Sequence, residues 1–163
     1  MSLTLSKPPV AHANLFIRAP AAACFKAFVD PAITTKFWFT RGSAKLEAGK
    51  RVRWHWEMYG AVTDVDVKAI EANTRILVEW SFPNSSMVEW TFTPGDGGTM
   101  VEITNSDFKG DGDGQVQTAI DSMGGWCFVL AGLKLWLEHG IEPNLVDDKW
   151  PDKHVAGWTG RSS

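Results

Sequence analysis

The chain has 163 residues and a net charge of −3, so it is long enough for one ordinary domain and lacks the basic footprint of a nucleic-acid-binding protein. Its composition is that of a soluble globular protein, except that it holds nine Trp and nine Phe against one Tyr. No apolar run reaches the roughly 20 residues of a membrane-spanning helix, and the first residues predict no signal peptide, which indicates a cytoplasmic protein without a membrane span.

The first predicted element is a strand, and two short helices follow it. Residues 13–18, ANLFIR, are typical of a strand, and the Ala-rich stretch after them carries Pro20 and Pro31 where two helices can begin. Between residues 42 and 107, Gly, Asn and Pro turn signals separate segments with period-two patterning. We count six strands there, and their short connections predict an antiparallel meander.

The alternation in these strands predicts one apolar face and one solvated face. In the stretch RVRWHWEM, residues 51–58, large apolar side chains alternate with charged ones. The predicted apolar face comprises Val52, Trp54, Trp56, Met58, Val65, Val67, Ala69, Ile76, Val78, Trp80, Phe82, Val88, Trp90, Phe92, Val101 and Ile103. On the other face we expect opposite charges on neighbouring strands to pair.

One long helix, predicted over 114–140, is available to cover the apolar face of the sheet. Its apolar stripe, at spacings of three and four, comprises Val116, Ile120, Met123, Cys127, Leu130, Leu133 and Leu137. We predict that this stripe faces the sheet and that Gly124 and Gly125 mark a bend or a close approach. Cys24 and Cys127 are predicted as small buried apolar residues, without a disulfide.

Together these elements predict an α+β fold in which a curved antiparallel sheet of about seven strands wraps around the long helix. A helix held away from a curved sheet tends to enclose a cavity, which the tryptophans of the apolar face would line. The alternative, that these indoles are plain core, has equal weight. We assign residues 1–140 to one domain, with its core from about residue 12, and residues 141–163 to a C-terminal tail.

Motifs for metal, cofactor or nucleophile chemistry are absent from the sequence. KGDGDGQ, residues 109–115, fails as a calcium loop because Lys109 and Ile120 would occupy its first and twelfth positions. Asn105 and Asp107 continue the inward alternation of the last strand and are weak candidates for a catalytic pair. Alternatively, the strand has ended and both side chains face solvent or cap the following loop.

Two stretches resemble a known family. GGWCFVLAGLKLWLEHG, residues 124–140, and PAAACFKAFVDPAITTKFWF, residues 20–39, are similar to segments of proteins like the C-terminal domain of the activator of the heat-shock-protein-90 ATPase, in the START-like or SRPBCC superfamily. The resemblance spans roughly residues 12–140. It implies the helix-grip fold and a hydrophobic cavity, which relatives use to bind lipids, hormones or polyketide-like molecules, sometimes as cyclases.

We therefore predict a non-catalytic protein that binds a small apolar molecule, lipid-like, aromatic or polyketide-like, without cofactor or metal. The predicted ligand-binding residues, with Phe37 and Trp38 at the mouth of the cavity, are Phe37, Trp38, Trp54, Trp56, Met58, Trp80, Phe82, Trp90, Met123 and Cys127. Two alternatives stay open: a cyclase or lyase-like enzyme that uses Asn105 and Asp107, and a chaperone-accessory interaction module. A homodimer is a further alternative for the assembly.

Overall fold

The computed structural model describes residues 1–81 and 84–161, and it has the predicted order of elements. The strands and helices are β1 (Ala11–Ile17), α1 (Ala21–Val29), α2 (Pro31–Thr34), β2 (Arg41–Gly42), β3 (Arg51–Trp56), β4 (Ala61–Glu71), β5 (Arg75–Trp80), β6 (Ser86–Gly95), β7 (Gly98–Ser106), α3 (Gly112–His139) and α4 (Leu145–Lys149). Short 3₁₀ turns lie at Glu57–Tyr59 and Pro151–Lys153. The architecture is the expected α+β helix-grip fold, and six of its strands lie between residues 41 and 106.

All seven strands form one antiparallel sheet in the order β1-β7-β6-β5-β4-β3-β2. Strands β2 to β7 pair with their neighbours along the chain, which confirms the predicted meander. Strand β1 pairs with β7 and so brings the start of the chain beside the end of the meander. Helix α1 contacts β6 and β7, α3 contacts β1 and β7, and α2 packs on α1.

The outer face of the sheet carries the predicted charge pairs. Arg51 lies opposite Asp66 in the β3–β4 register and donates two hydrogen bonds to its carboxylate, at 2.7 and 3.0 Å. Arg53 lies opposite Asp64 in the same register and donates one hydrogen bond to its carboxylate, at 2.8 Å. The hydrogen bond from Arg51 lowers the pKa of Asp66, so this pair stays charged at neutral pH.

The inner face of the sheet is apolar and buried, as the alternation predicts. Its fully buried members include Val52, Trp54, Met58, Val65, Ile76, Val78, Val88, Trp90, Val101 and Ile103. Helix α3 covers this face on the β1 and β7 side. Toward β3, β4 and β5 the sheet and α3 diverge, and large aromatic side chains fill the space between them.

The orientation predicted for α3 is wrong in its first half. Ile120 and Met123 are 61% and 44% exposed, and Cys127 is also exposed. The buried side of the helix instead carries Ala119, Trp126, Val129, Leu130, Gly132 and Leu133. Because α3 is apolar on most sides, two stripes fit the helical spacing, and the one with Trp126 buries the larger side chain.

The sequence predicts a bend or a close approach at Gly124 and Gly125. In the structure the backbone of α3 is approached closely at Gly132 instead. A Cβ atom at Gly132 would lie 3.0 Å from the Phe37 carbonyl oxygen, whereas one at Gly125 would meet no atom within 4 Å. Helix α3 runs through both earlier glycines as one helix. Gly132 therefore permits α3 to pack closely on the turn after α2, and Gly125 leaves open space beside the helix.

Helix α3 is also long and apolar enough to cross a membrane on length and composition alone. The core helix of a soluble protein passes the same test. In this fold α3 contacts β1, β7 and α1, and its buried side belongs to the main hydrophobic core. That packing accounts for the apolar residues on the buried side of the helix, whereas Ile120, Met123 and Cys127 are exposed.

We expect the two thiols to differ in reactivity. Burial raises the pKa of the Cys24 thiol to about 11, so at pH 8 this thiol is protonated and shielded, while Cys127 is exposed. Ellman's reagent should therefore titrate one thiol in the native protein and both in urea. Cys127→Ser should abolish the native signal, and rapid reaction of both thiols in the native protein would contradict the buried position of Cys24.

Candidate functional site

Trp38 occupies the centre of the space between the sheet and α3. Its ring centroid lies 5.0 Å from that of Trp54, 5.2 Å from Trp126 and 5.9 Å from Trp56. We call the full set the tryptophan cluster; its members are Trp38, Trp54, Trp56, Trp80, Trp90 and Trp126. The interior is therefore filled by one of the residues that the sequence placed at the mouth of a cavity.

The turn after α2 explains why Trp38 points inward. The Thr34 hydroxyl donates to the Ala27 carbonyl oxygen at 2.6 Å and ties α2 to α1. The backbone N–H of Trp38 then donates to the Thr34 carbonyl oxygen at 3.0 Å, which continues the turn and directs the indole toward the sheet. Trp38 is 4% exposed as a result.

Four of the predicted ligand-binding residues are core. Trp54 stacks on Phe39 with ring centroids 4.9 Å apart, and Trp90 is 1% exposed. Phe37 packs edge to face on Phe28, and Met58 is fully buried. None of the four is a wall of the two cavities described below, and Trp38 packs on both Trp54 and Trp90.

Two open cavities lie beside the tryptophan cluster, with volumes of about 410 and 550 Å³. They share the walls Trp38, Trp80 and Val146, and we call the two together the tryptophan groove. The first cavity also contacts Thr118, Asp121, Ser122, Gly125, Trp126, Phe128, Val129 and Lys149; the second also contacts Trp56, Tyr59, Gly60, Ala61, Trp150 and Lys153. The groove thus runs from the first half of α3 to the end of β3.

The remaining predicted residues divide between two places. Trp38, Trp56 and Trp80 line the tryptophan groove. Met123 and Cys127 line a separate depression on the opposite side of α3, together with Pro9 and Val10. Phe82 lies outside the described residues.

A buried chain of hydrogen bonds fixes two walls of the groove. The Trp80 indole N–H donates to the Ser86 hydroxyl at 2.9 Å, and the Asn105 amide donates to the same hydroxyl at 3.0 Å and to the Met87 carbonyl at 2.8 Å. The Asn105 carbonyl oxygen accepts from the Trp126 indole N–H at 3.3 Å. Asn105 therefore sets the relative orientation of Trp80 and Trp126, whose ring centroids are 5.2 Å apart.

The structure separates the two candidates for catalysis. Asn105 is fully buried. Both the NH₂ group and the carbonyl oxygen of its side-chain amide are already hydrogen-bonded. Asp107 has a φ of 63°, which turns it out of the strand to the surface, where it pairs with Lys109 at 2.7 Å. An amide does not titrate, and the carboxylate lies away from the groove, so these two residues form no acid–base pair.

The C-terminal segment supplies the outer wall of the groove. The Tyr59 hydroxyl donates to the Val146 carbonyl oxygen, and burial raises the pKa of this phenol, which keeps it protonated. Next to Val146, Asp147 accepts hydrogen bonds from the Arg161 guanidinium at 2.6 to 3.0 Å. These contacts hold α4 beside Trp38 and Trp80.

Sequence analysis missed several lining residues, chiefly Trp126, Phe128, Val146 and Trp150. A signal for Trp126 existed, because residues 119, 122, 126, 129 and 133 follow the same helical spacing as the chosen stripe. A single Trp in a tail carries no periodicity, so the position of Trp150 could not be inferred from pattern.

A family model and several solved structures match this chain. A family model described as Activator of Hsp90 ATPase homolog 1-like protein matches residues 18–138. The structure of SSP2350 from Staphylococcus saprophyticus is 28% identical, with a TM-score of 0.71 over 82% of this chain and 94% of that one. DynU16, a protein in the dynemicin biosynthetic locus, is 25% identical, with a TM-score of 0.72 over 82% of this chain and 48% of that one.

More distant structures share the fold alone. The Aha1 dimer from Colwellia psychrerythraea is 17% identical, with a TM-score of 0.70 over 81% of this chain and 98% of that one. No curated protein matches the sequence. The family model begins directly after β1 and ends one residue before the end of α3.

Proposed function

We propose that this chain, which belongs to the family of Activator of Hsp90 ATPase homolog 1-like proteins, binds a small flat apolar molecule in the tryptophan groove. The observation that carries the proposal is that the indoles of Trp38, Trp56 and Trp80, which pack on one another, also line two open cavities. Similarity to DynU16, a protein from a biosynthetic locus, is in keeping with a small-molecule ligand. Free Cys24 and Cys127 fit a reducing compartment, so we place this binding in the cytoplasm.

The dimensions and chemistry of the groove support this assignment. Its cavities of about 410 and 550 Å³ fall within the range of about 300–1,000 Å³ that is usual for small-molecule sites. A planar ligand that lies in the groove against Trp80 or Trp126 would gain offset stacking in addition to the burial of apolar surface. The hydrogen bonds through Asn105 hold both indoles in place before a ligand arrives, so little ordering is required on binding.

Filling the groove from α3 should abolish binding without loss of stability. A Cβ atom at Gly125 meets no other atom within 4 Å, and the residue lines the first cavity. We expect Gly125→Leu to place its side chain in that cavity and to block ligand, while helix propensity raises the free energy of unfolding by up to about 1 kcal/mol. Quenching of Trp fluorescence by a panel of flat apolar compounds, together with urea unfolding, measures both effects.

Gly125→Ala is the matched control for this experiment. It gives a similar gain in helix propensity and leaves most of the cavity open, so it should bind the same compounds as the parent protein. Equal binding by the parent, the Ala variant and the Leu variant would show that ligands bind elsewhere. No quenching of the parent protein by any compound of the panel would refute the proposed function.

A further inference from the structure

We propose that the ligand of the tryptophan groove carries an anionic group, a carboxylate or a group of similar charge, which lies at the rim formed by Lys149 and Lys153. The inference rests on the proposed function and adds the chemical class of the ligand. Both lysines belong to the C-terminal segment that supplies the outer wall: Lys149 ends α4, and Lys153 lies in the turn after it. One lysine lines each cavity.

The two ammonium groups are held beside the groove by aromatic rings. The Lys149 Nζ lies 5.0 Å from the centroid of Phe128, and the Lys153 Nζ lies 4.4 Å from that of Trp150. Both rings are themselves walls of the groove. Cation–π contacts of this kind keep each charge at the rim, where a ligand passes, instead of leaving the side chain extended into solvent.

Each lysine follows an exposed aspartate in the chain, Asp148 or Asp152, but forms no ion pair with it among the described residues. Within the part of the chain that the structure describes, neither Lys149 nor Lys153 forms an ion pair, whereas Lys45, Lys50 and Lys134 each pair with a carboxylate. The second cavity has Lys153 as its one charged wall residue among those described. In the first cavity Asp121 is also present, but it is exposed and accepts a hydrogen bond from Gln117 at 3.1 Å.

The positive charges of Lys149 and Lys153 disfavour a cationic ligand. A set of indole and phenol rings such as Trp56, Tyr59 and Trp80 could by itself receive a quaternary ammonium ion. Two fixed ammonium groups at the rim would repel such an ion, while they attract an anion of the same shape. The groove is thus suited to a flat apolar body with a negative end.

Three probes with one ring system test the inference: anthracene-2-carboxylate, anthracene-2-carboxamide and an anthracene that carries a trimethylammonium group. By isothermal titration at low salt we expect the carboxylate to bind about fivefold more tightly than the carboxamide, the size of a partly exposed charge contact. The cation should bind most weakly. The preference for the carboxylate should disappear near 1 M salt, where the screening length is about 3 Å.

The variant Lys149→Met/Lys153→Met should lose the preference, so that the ratio of its affinities for the carboxylate and the carboxamide is close to one. Lys68→Met, which removes a charge paired with Glu79 on the outer sheet face, is the control and should keep the preference. Equal binding of carboxylate and carboxamide by the parent protein would overturn the inference and leave the proposed function intact. If none of the three probes binds, the proposed function fails and the inference fails with it.

Discussion

Replacement of Trp38 by alanine is expected to lower the free energy of unfolding by about 3–5 kcal/mol, a large part of the stability of a domain of this size. Trp38 is 4% exposed, and its ring lies against those of Trp54, Trp126 and Phe39 at centroid distances of 5.0 to 5.3 Å. No neighbouring side chain can move into the space without loss of its own contacts. The variant should therefore keep a large internal cavity.

Urea unfolding of Trp38→Ala beside the parent protein measures this loss. Trp38→Phe retains part of the aromatic contact and should lose less, while Trp150→Ala, at a residue that is 48% exposed, should change stability little. A loss below about 1 kcal/mol for Trp38→Ala would contradict the central packing of this indole. In that case Trp38 would be a side chain that leaves the interior easily, and a larger ligand could replace it.

The sheet could be predicted from the sequence because the signals for strands and turns lie in short, continuous stretches of the chain. Alternation fixes which side chains share a face, and the turn signals fix where each strand ends. Arg51 and Asp66, for example, lie on the same outer face in any register that buries Trp54, and the β3–β4 register then brings them opposite each other. The outcome depends little on what covers the other face.

The helix orientation and the filled interior could not be predicted in the same way. Apolar residues surround most of α3, so spacing alone allows a stripe through Met123 or one through Trp126. Which one faces the sheet depends on the partners available, and these include Asn105 and Trp38, which are distant in the chain. Tertiary contacts of this kind leave no periodic signal in the sequence.

The same reason explains the mixed outcome for the candidate site. Alternation correctly pointed Asn105 inward, but its role follows from the hydrogen bonds to Ser86 and Trp126, which only the folded chain brings together. Trp56 and Trp80 differ from Trp54 and Trp90 because of their places in the sheet, although all four share one face. Trp54 and Trp90 pack on Trp38 and line neither cavity, whereas Trp56 and Trp80 also line open space next to the C-terminal segment.

The second large effect is expected at the contact that holds this segment in place. Arg161 and Asp147 have side chains only 10% and 7% exposed, and the guanidinium also donates to the backbone carbonyl oxygens of Thr35, Trp38 and Phe39. One arginine thus binds α4 and the turn that positions Trp38. We expect Arg161→Met to lower the free energy of unfolding by about 3–5 kcal/mol, because it leaves the Asp147 carboxylate buried without its partner.

Urea unfolding of three proteins separates the charge from the packing: the parent, Arg161→Met, and the double variant Arg161→Met/Asp147→Asn. The double variant removes the buried, unpaired charge of Asp147, so it should recover part of the lost free energy of unfolding. The backbone carbonyl groups that accept hydrogen bonds from Arg161 stay unpaired in it. In Arg161→Met, α4 loses its contact with Arg161 and is released from the rest of the fold. Trypsin should therefore cleave at Lys149 and Lys153 faster in this variant than in the parent. Unchanged stability and unchanged cleavage would mean that the C-terminal segment is held by Tyr59 and its own apolar contacts, so that the outer wall of the groove does not depend on Arg161.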